Sequence, residues 1–445
     1  MEFCMSFFDR SKALFPAIIV ALTSACAVTE TTPPDEEPPY AIATQYSQEI
    51  ADLKAHEKVG KALAHVVALE SRLLEVLIEL TEIPAPPFDE DKRGMRFAEM
   101  LREAGLTDVS IDAVGNVIGR RPGRSGDRVI AYTAHLDTVF PAGTDVTVRV
   151  DGDTLYAPGI GDNTRGLVVI LSVLRAMQHA DIETEADILF VGNVGEEGLG
   201  NLRGVKHLLR EGGPQIDALI AVDGGDANRL VFGGVGSHRY RATIRGPGGH
   251  SWGAFGTANP HHALGRAIAT FVENAPSVTA SGDKTSYNVG RIGGGTSINS
   301  VPFESWMEVD MRSGNQDKLD DIDAVFQAAV SAALAEENAA RLEGPELTVD
   351  VERIGTRPAA RGDTELPLVQ RAMAAMRSTG VEPRLSISST DANHPISIGV
   401  PAITMSRGGN SEDSHALTES WQNIDGHVAI QFGLLTVLAE ASMVR

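Results

Sequence analysis

Between residues 47 and 80 the apolar side chains Ile50, Leu53, Val59, Leu63, Val66, Leu73, Leu77 and Ile78 recur at three- and four-residue spacing, the period of an amphipathic helix or helix pair. Pro84, Pro86 and Pro87 close that pattern, and a second helix is predicted over about 91–104. The period then changes. Short β-like runs (VSIDA, NVIGR, RVIAYTA, VTVRV, DILFVGNV, DALIAV) alternate with the helical stretches LVVILSVLRAM and NLRGVKHLLR, which implies a mostly parallel sheet with helices on both faces. After Val235 the order becomes strand, helix, strand, strand, helix, strand, through HRYRATIRG, 260–273, TSYNVGRIGG, SWMEVDMR, 316–337 and ELTVDVERI. That order predicts an antiparallel α+β unit of ferredoxin-like type, inserted over 237–353. From about residue 366 the helix–strand alternation returns, so the first domain is expected in two parts, 47–236 and 354–445.

Composition narrows the partners. The chain has 445 residues with 60 Asp+Glu against 38 Lys+Arg, a formal charge of −22. Such a surface repels phosphate backbones and anionic lipid, and no strongly basic patch offsets it, so nucleic acid is not an expected partner. Both cysteines, Cys4 and Cys26, precede residue 27, which leaves the rest of the chain without a disulfide or a cysteine-ligated metal. Arg10 and Lys12 followed by the apolar run ALFPAIIVAL and the small residues before Cys26 read as an export signal over 1–26. Its end resembles a lipobox, which would make Cys26 a lipidated first residue and the only membrane attachment. The Pro-rich acidic stretch 27–46 reads as a solvated tether, and the expected location is the periplasm.

Five groups of acids and imidazoles stand where strands are predicted to end: AHLDTV (His135, Asp137), GIGDNTRG (Asp162), VGEEG (Glu196, Glu197), VDGGD (Asp223) and EDSHALTE (His415). Open parallel sheets place ligands at such ends, and carboxylates with imidazoles are the donor set of zinc and related cations. Taken singly each group is weak evidence, since a lone His is more often structural and paired Glu residues are usually a solvated face.

Together with GGHSWGAFGTANPHHALG, GGTSINSVP, VDMR and SHALTE, these segments resemble the dinuclear-zinc peptidases and amidohydrolases that include glutamate carboxypeptidase, peptidase T, the carnosinase-type dipeptidases and aminoacylase. The resemblance runs from about residue 80 to the C-terminus. It implies two zinc ions per chain, replaceable by cobalt or manganese. His135 and Asp223 would be terminal ligands of one, Glu197 and His415 of the other, and Asp162 the bridge. Asp137 would orient His135, and Glu196 would be the general base acting on a metal-bridging water. His250, in the inserted unit, would reach the active site of a partner subunit in a homodimer, while Asn299 and Arg312 would hold a substrate carboxylate. In SSTDAN, Asp391 would support the site. His394 beside it, like the helical His56, His65, His179, His207, His261 and His262, reads as a packing or surface residue.

Asp223, where deacylase branches often carry Glu, together with VDGG and SSTDAN, favours the peptidase branches. The expected activity is an exported exopeptidase on short peptides. An N-acyl-amino-acid amidohydrolase or carboxypeptidase of the same family is the alternative, and a non-catalytic binding protein is disfavoured by the presence of Glu196.

Overall fold

The computed structural model describes residues 40–444; the expected export signal, Cys4, Cys26 and most of the tether lie outside them. Helices α1 (Thr44–Ala55), α2 (Glu57–Ala68), α3 (Glu70–Thr81) and α4 (Asp91–Glu103) come first. Strands β1 (Asp108–Ile111), β2 (Val117–Arg121) and β3 (Val129–His135) follow, then the short β4 (Arg149–Asp151) and β5 (Thr154–Tyr156). Next come α5 (Gly166–His179), β6 (Asp187–Asn193), α6 (Arg203–Leu208), β7 (Ala218–Val222) and β8 (Arg229–Gly234). There follow β9 (Gly236–Arg245), β10 (Gly249–His250), α7 (Pro260–Asn274), α8 (Pro276–Thr279), β11 (Thr285–Gly294), β12 (Ser300–Val301), β13 (Glu304–Ser313), α9 (Gln316–Ala340) and β14 (Thr348–Arg357), of which β9, β11, β13 and β14 form a second sheet and β10 and β12 a separate two-stranded ribbon. The chain then adds α10 (Pro367–Ser378), β15 (Arg384–Ser388), α11 (Asn393–Ser397), β16 (Ala402–Met405), β17 (Asn410–Glu412), β18 (Ser420–Gln422) and α12 (Gly426–Glu440).

Among the described residues the main sheet has the order β1-β2-β6-β3-β7-β16-β8-β15. Its centre, β6-β3-β7-β16, is parallel, while β2 runs against β6 and β8 against β16. Strands β3, β6 and β7 are buried almost throughout, which is why they read as continuous apolar runs rather than alternating ones. Their side chains still alternate between faces: Ala131, Leu189 and Leu219 pack on Leu202, Val205 and Leu208 around α6, whereas Tyr132 approaches Gly433 of α12 on the other face. Helices α5 and α12 are apolar on nearly every side, as a helix enclosed between a sheet and other helices must be.

The second sheet is antiparallel with order β11-β13-β9-β14, the arrangement predicted from the strand–helix order. Helices α7 and α9 cover one face through Ala263, Ala267, Phe271, Ile322, Phe326 and Val330, packed on Tyr240, Ala242, Met307 and Val309. Asn259 and Asn315 cap these two helices, accepting from the main-chain N–H of His261 and of Asp317 and Lys318.

The structure differs from the periodicity in three places. The single pattern over 47–80 is three helices, and the first begins at Thr44; the breaks carry no proline or glycine and are invisible to apolar spacing. Of the VTVRV run only Arg149 and Val150 are strand, in β4 of a small separate sheet with β5, β18 and β17. Strand β14 continues past Arg353 to Arg357, paired with β9 to its end, because the antiparallel partner extends that far.

Candidate metal centre

The carboxyl ends of three adjacent parallel strands assemble the cluster. His135 is the last residue of β3, Glu196 and Glu197 follow β6, and Asp223 follows β7. Asp162 arrives from the turn that opens α5. That turn is held by Glu419, whose carboxylate accepts from the main-chain N–H of Gly159 (2.8 Å), Gly161 (3.0 Å) and Asp162 (2.8 Å). Gly159 sits at φ +79°, and a Cβ there would lie 2.5 Å from Thr138, so only glycine fits. His415 stands at φ +70° on the loop between β17 and β18, a conformation that costs a non-glycine residue about 1 kcal/mol.

Ligand atoms of His135, Asp162 and Glu197 all lie within 4.8 Å of one another. His415 Nε2 is 2.8 Å from Glu197 Oε1 and 3.4 Å from Asp162 Oδ2. His135 Nδ1 lies 3.0 Å from the main-chain carbonyl of Asp137, so an N–H donated there leaves the Nε2 lone pair facing Asp162 Oδ1 at 3.3 Å. That Nε2 is buried with no hydrogen-bond partner. An imidazole lone pair opposed to a carboxylate needs a proton or a cation between them, and the donor set suits a divalent metal. Burial lowers the proton affinity of His135, but Asp137 and Asp162 raise it further, well above the ordinary range. His415 is raised to about 10 by hydrogen bonds to Asp162 and Glu197. The same acids that would hold protons there would hold a metal in their place.

Asp137 does more than orient an imidazole. Its carboxylate accepts from the N–H of Glu196 (3.1 Å) and Glu197 (2.8 Å), leaving its carbonyl, rather than its carboxylate at 3.6 Å, closer to His135. Burial pushes the Asp137 carboxyl up, and His135 with these two N–H donors brings it below the usual range. Glu196 points differently from Glu197: its Oε1 receives Arg357 Nη1 at 2.7 Å, and burial, partly offset by Arg357, lifts it to about 8.

A cavity of about 450 Å³ opens beside the cluster, lined by Asp162, Glu196, Glu197, Asp223 and His415 together with Arg229, Arg239, Arg312, Arg357 and Arg407. A larger groove of about 870 Å³ borders the far side of the His415 loop, but none of the five expected ligands lines it. Arg312 therefore reaches the cavity. His250 and Asn299 do not line it; both are exposed on the β10–β12 ribbon, where Ser251 N–H donates to Asn299 O at 2.9 Å.

Five residues carry more of the centre than the sequence motifs signal. Arg357 and Arg407 are buried partners of the acids, at Glu196 and at Asp162 and Asp223 respectively. Glu419 was visible only as part of SHALTE. Asn193, ending β6, donates to Asp391 at 2.7 Å, which places the SSTDAN carboxyl beside the centre; burial lifts it to about 6. Buried Arg93 donates to the carbonyls of Ile83 and Leu136 at 3.0 and 2.9 Å and so steadies the His135–Asp137 turn.

Residues 131–438 match the model of peptidase family M20/M25/M40. Carboxypeptidase G2 of Pseudomonas sp. (strain RS-16) is 26% identical over 68% of this chain and 72% of its own length. YqjE of Bacillus subtilis, an uncharacterized protein, is 26% identical over 76% of this chain and 91% of its own. Among solved structures, aminopeptidase PepT from Bacillus cereus superposes with a TM-score of 0.66 at 23% identity, covering 84% of this chain and 99% of PepT. The chain belongs to peptidase family M20/M25/M40. It is a hydrolase of the peptidase and amidohydrolase type whose His/Asp/Glu cluster is compatible with a metal site.

Proposed function

We propose that the protein is an exported, two-zinc exopeptidase that hydrolyses amide bonds of di- and tripeptides. The observation that carries this reading is the split between two adjacent glutamates that both line the cavity: Glu197 joins His135 and Asp162, whereas Glu196 pairs with Arg357. His135, Asp223, Glu197 and His415 would hold the ions, with Asp162 between them. When bound, two such ions polarise a scissile carbonyl and bring the ionisation of water toward neutrality.

Glu196 then takes the proton of the attacking water as its oxygen bonds to the carbonyl carbon, and passes it to the departing amine as the C–N bond breaks. Arg357 fixes the carboxylate for both transfers. Of the other arginines lining the cavity, Arg239 and Arg312 share one carboxylate, Asp310, at 2.9 and 2.7 Å, and Arg229 donates to Ser386 Oγ at 3.2 Å. That surplus of guanidinium suits a substrate carboxylate. The exposed His250 and Asn299, with Trp252, Phe255 and Ile298 exposed around them, support action across a homodimer. Export rests on the sequence before residue 27.

The similarity to carboxypeptidase G2 and the arginine-rich cavity favour a second reading, a carboxypeptidase or N-acyl-amino-acid amidohydrolase using the same centre. Digesting a peptide library with purified enzyme, with amino termini free or blocked, separates the two. Chelator-sensitive cleavage of short free peptides supports the exopeptidase, preference for blocked ones the alternative, and no cleavage by metal-loaded enzyme overturns both.

A further inference from the structure

Arg407 follows β16 by two positions and is 1% exposed. Its Nη1 lies 3.1 Å from Asp162 Oδ1 and 3.2 Å from Asp223 Oδ1, and its Nη2 donates to Ser414 Oγ at 3.2 Å. Its main-chain N–H donates to Gly224 O at 3.3 Å, and its carbonyl accepts from Arg165 Nε at 3.3 Å. Arg165 is itself buried and stacked 4.7 Å from the Trp421 ring. The guanidinium is thus held from both ends of its residue, and an arginine stays charged at any working pH.

This cation lies to one side. It touches Asp162 and Asp223, which with His135 would hold one of the two ions in the proposed reading. His415 pairs with Glu197 and with the other oxygen of Asp162, and among the described residues no ion pair joins Arg407 to Glu197. An ion at His135 Nε2 would meet the same Asp162 Oδ1 that Arg407 contacts, and would draw on Asp223, which Arg407 also contacts, so it would share carboxylate charge with a fixed cation in a poorly screened interior. An ion in the Glu197–His415 half shares no oxygen with it.

We propose that Arg407 makes the two metal positions unequal: it serves as a resident counter-charge for Asp162 and Asp223, so the Glu197–His415 half fills first and the His135–Asp223 half binds its ion at least about tenfold more weakly. The proposal rests on the reading that these residues hold divalent cations. In it Arg407 is a positioning residue that acts through the two carboxylates.

The test is a titration of chelator-stripped full-length protein with Co²⁺ and separately with Zn²⁺, bound metal being measured by equilibrium dialysis and elemental analysis. Two binding steps separated by tenfold or more are expected for the wild type. In Arg407→Met the second step should tighten toward the first, and in Arg407→Lys, which keeps the charge, the separation should persist. Two equal steps in the wild type overturn the proposal even if neither variant folds. An unchanged second step in a folded Arg407→Met chain, checked by circular dichroism, also overturns it. Failure of the wild type to bind either metal instead removes the metal reading itself, and the proposal with it.

Discussion

Glu196 and Glu197 are one peptide bond apart, yet their surroundings assign them different work. Glu197 shares its oxygen with His415 at 2.8 Å, while Glu196 is raised to about 8 by burial and steadied by Arg357. Glu196→Gln is therefore expected to lower turnover by ~10²–10⁴-fold, the usual worth of a general base, with metal content by elemental analysis equal to wild type. Asp162 is the opposite case. It stands within contact of His135, Arg407 and His415, so Asp162→Asn should lower metal content of the whole centre, and two full equivalents retained in that variant would count against a bridging role. The motifs carried these two residues openly. Arg357 and Arg407 stood in no recognisable motif, because a lone arginine near a strand end looks the same whether it is solvated or buried against a carboxylate.

At the scale of elements, β14 shows what a few extra paired residues do. Its extension to Arg357 along β9 carries a guanidinium from the second sheet onto Glu196, joining that sheet to the proposed general base. Nearer its middle the same strand helps fasten α9. Asp323 accepts from Tyr240 (2.7 Å), His238 (2.9 Å), Gln327 (3.1 Å) and Arg353 (2.8 Å). Burial raises the Asp323 carboxyl, but the hydrogen bonds from His238, Tyr240 and Gln327 bring it below the ordinary range. A depressed folded value means that its stabilisation is present above the unfolded carboxylate value of ~3.9 and is lost as pH falls through the lower folded value. Asp323→Asn should thus destabilise by about 2 kcal/mol at pH 7, with the difference from wild type shrinking below about pH 4. Denaturant unfolding at pH 7 and pH 3 measures both, and a difference independent of pH would argue against the charged network.

At the scale of the whole molecule, the separate β10–β12 ribbon presents His250 and Asn299 side by side and exposed, while Arg312 on β13 lines the cavity. Three residues expected to serve one substrate are thus divided within one chain. If a second copy supplies His250, mixing inactive His250→Ala protein with inactive Glu196→Gln protein should restore part of the activity, because a heterodimer holds one site with both residues intact. The lost hydrogen bond to a developing oxyanion would be worth on the order of 3 kcal/mol. No recovery on mixing, with subunit exchange demonstrated by native mass spectrometry, would assign His250 to its own chain or to no catalytic role.

The apolar periods and the acid-bearing strand ends by themselves determined the sheet of the main domain, the inserted strand–helix order and the candidate ligands, because each is written within a few consecutive residues. Tertiary structure alone decided which donor atoms His135, Asp162 and Glu197 turn toward one another, and that Asp137 spends its carboxylate on the N–H groups of Glu196 and Glu197. It also decided that Arg357 and Arg407, 161 and 184 residues from the acids Glu196 and Asp223, supply the positive charge around the centre. Those contacts depend on sheet order and strand length across the fold, and a charge acts through distance in space, which spacing along the chain does not encode.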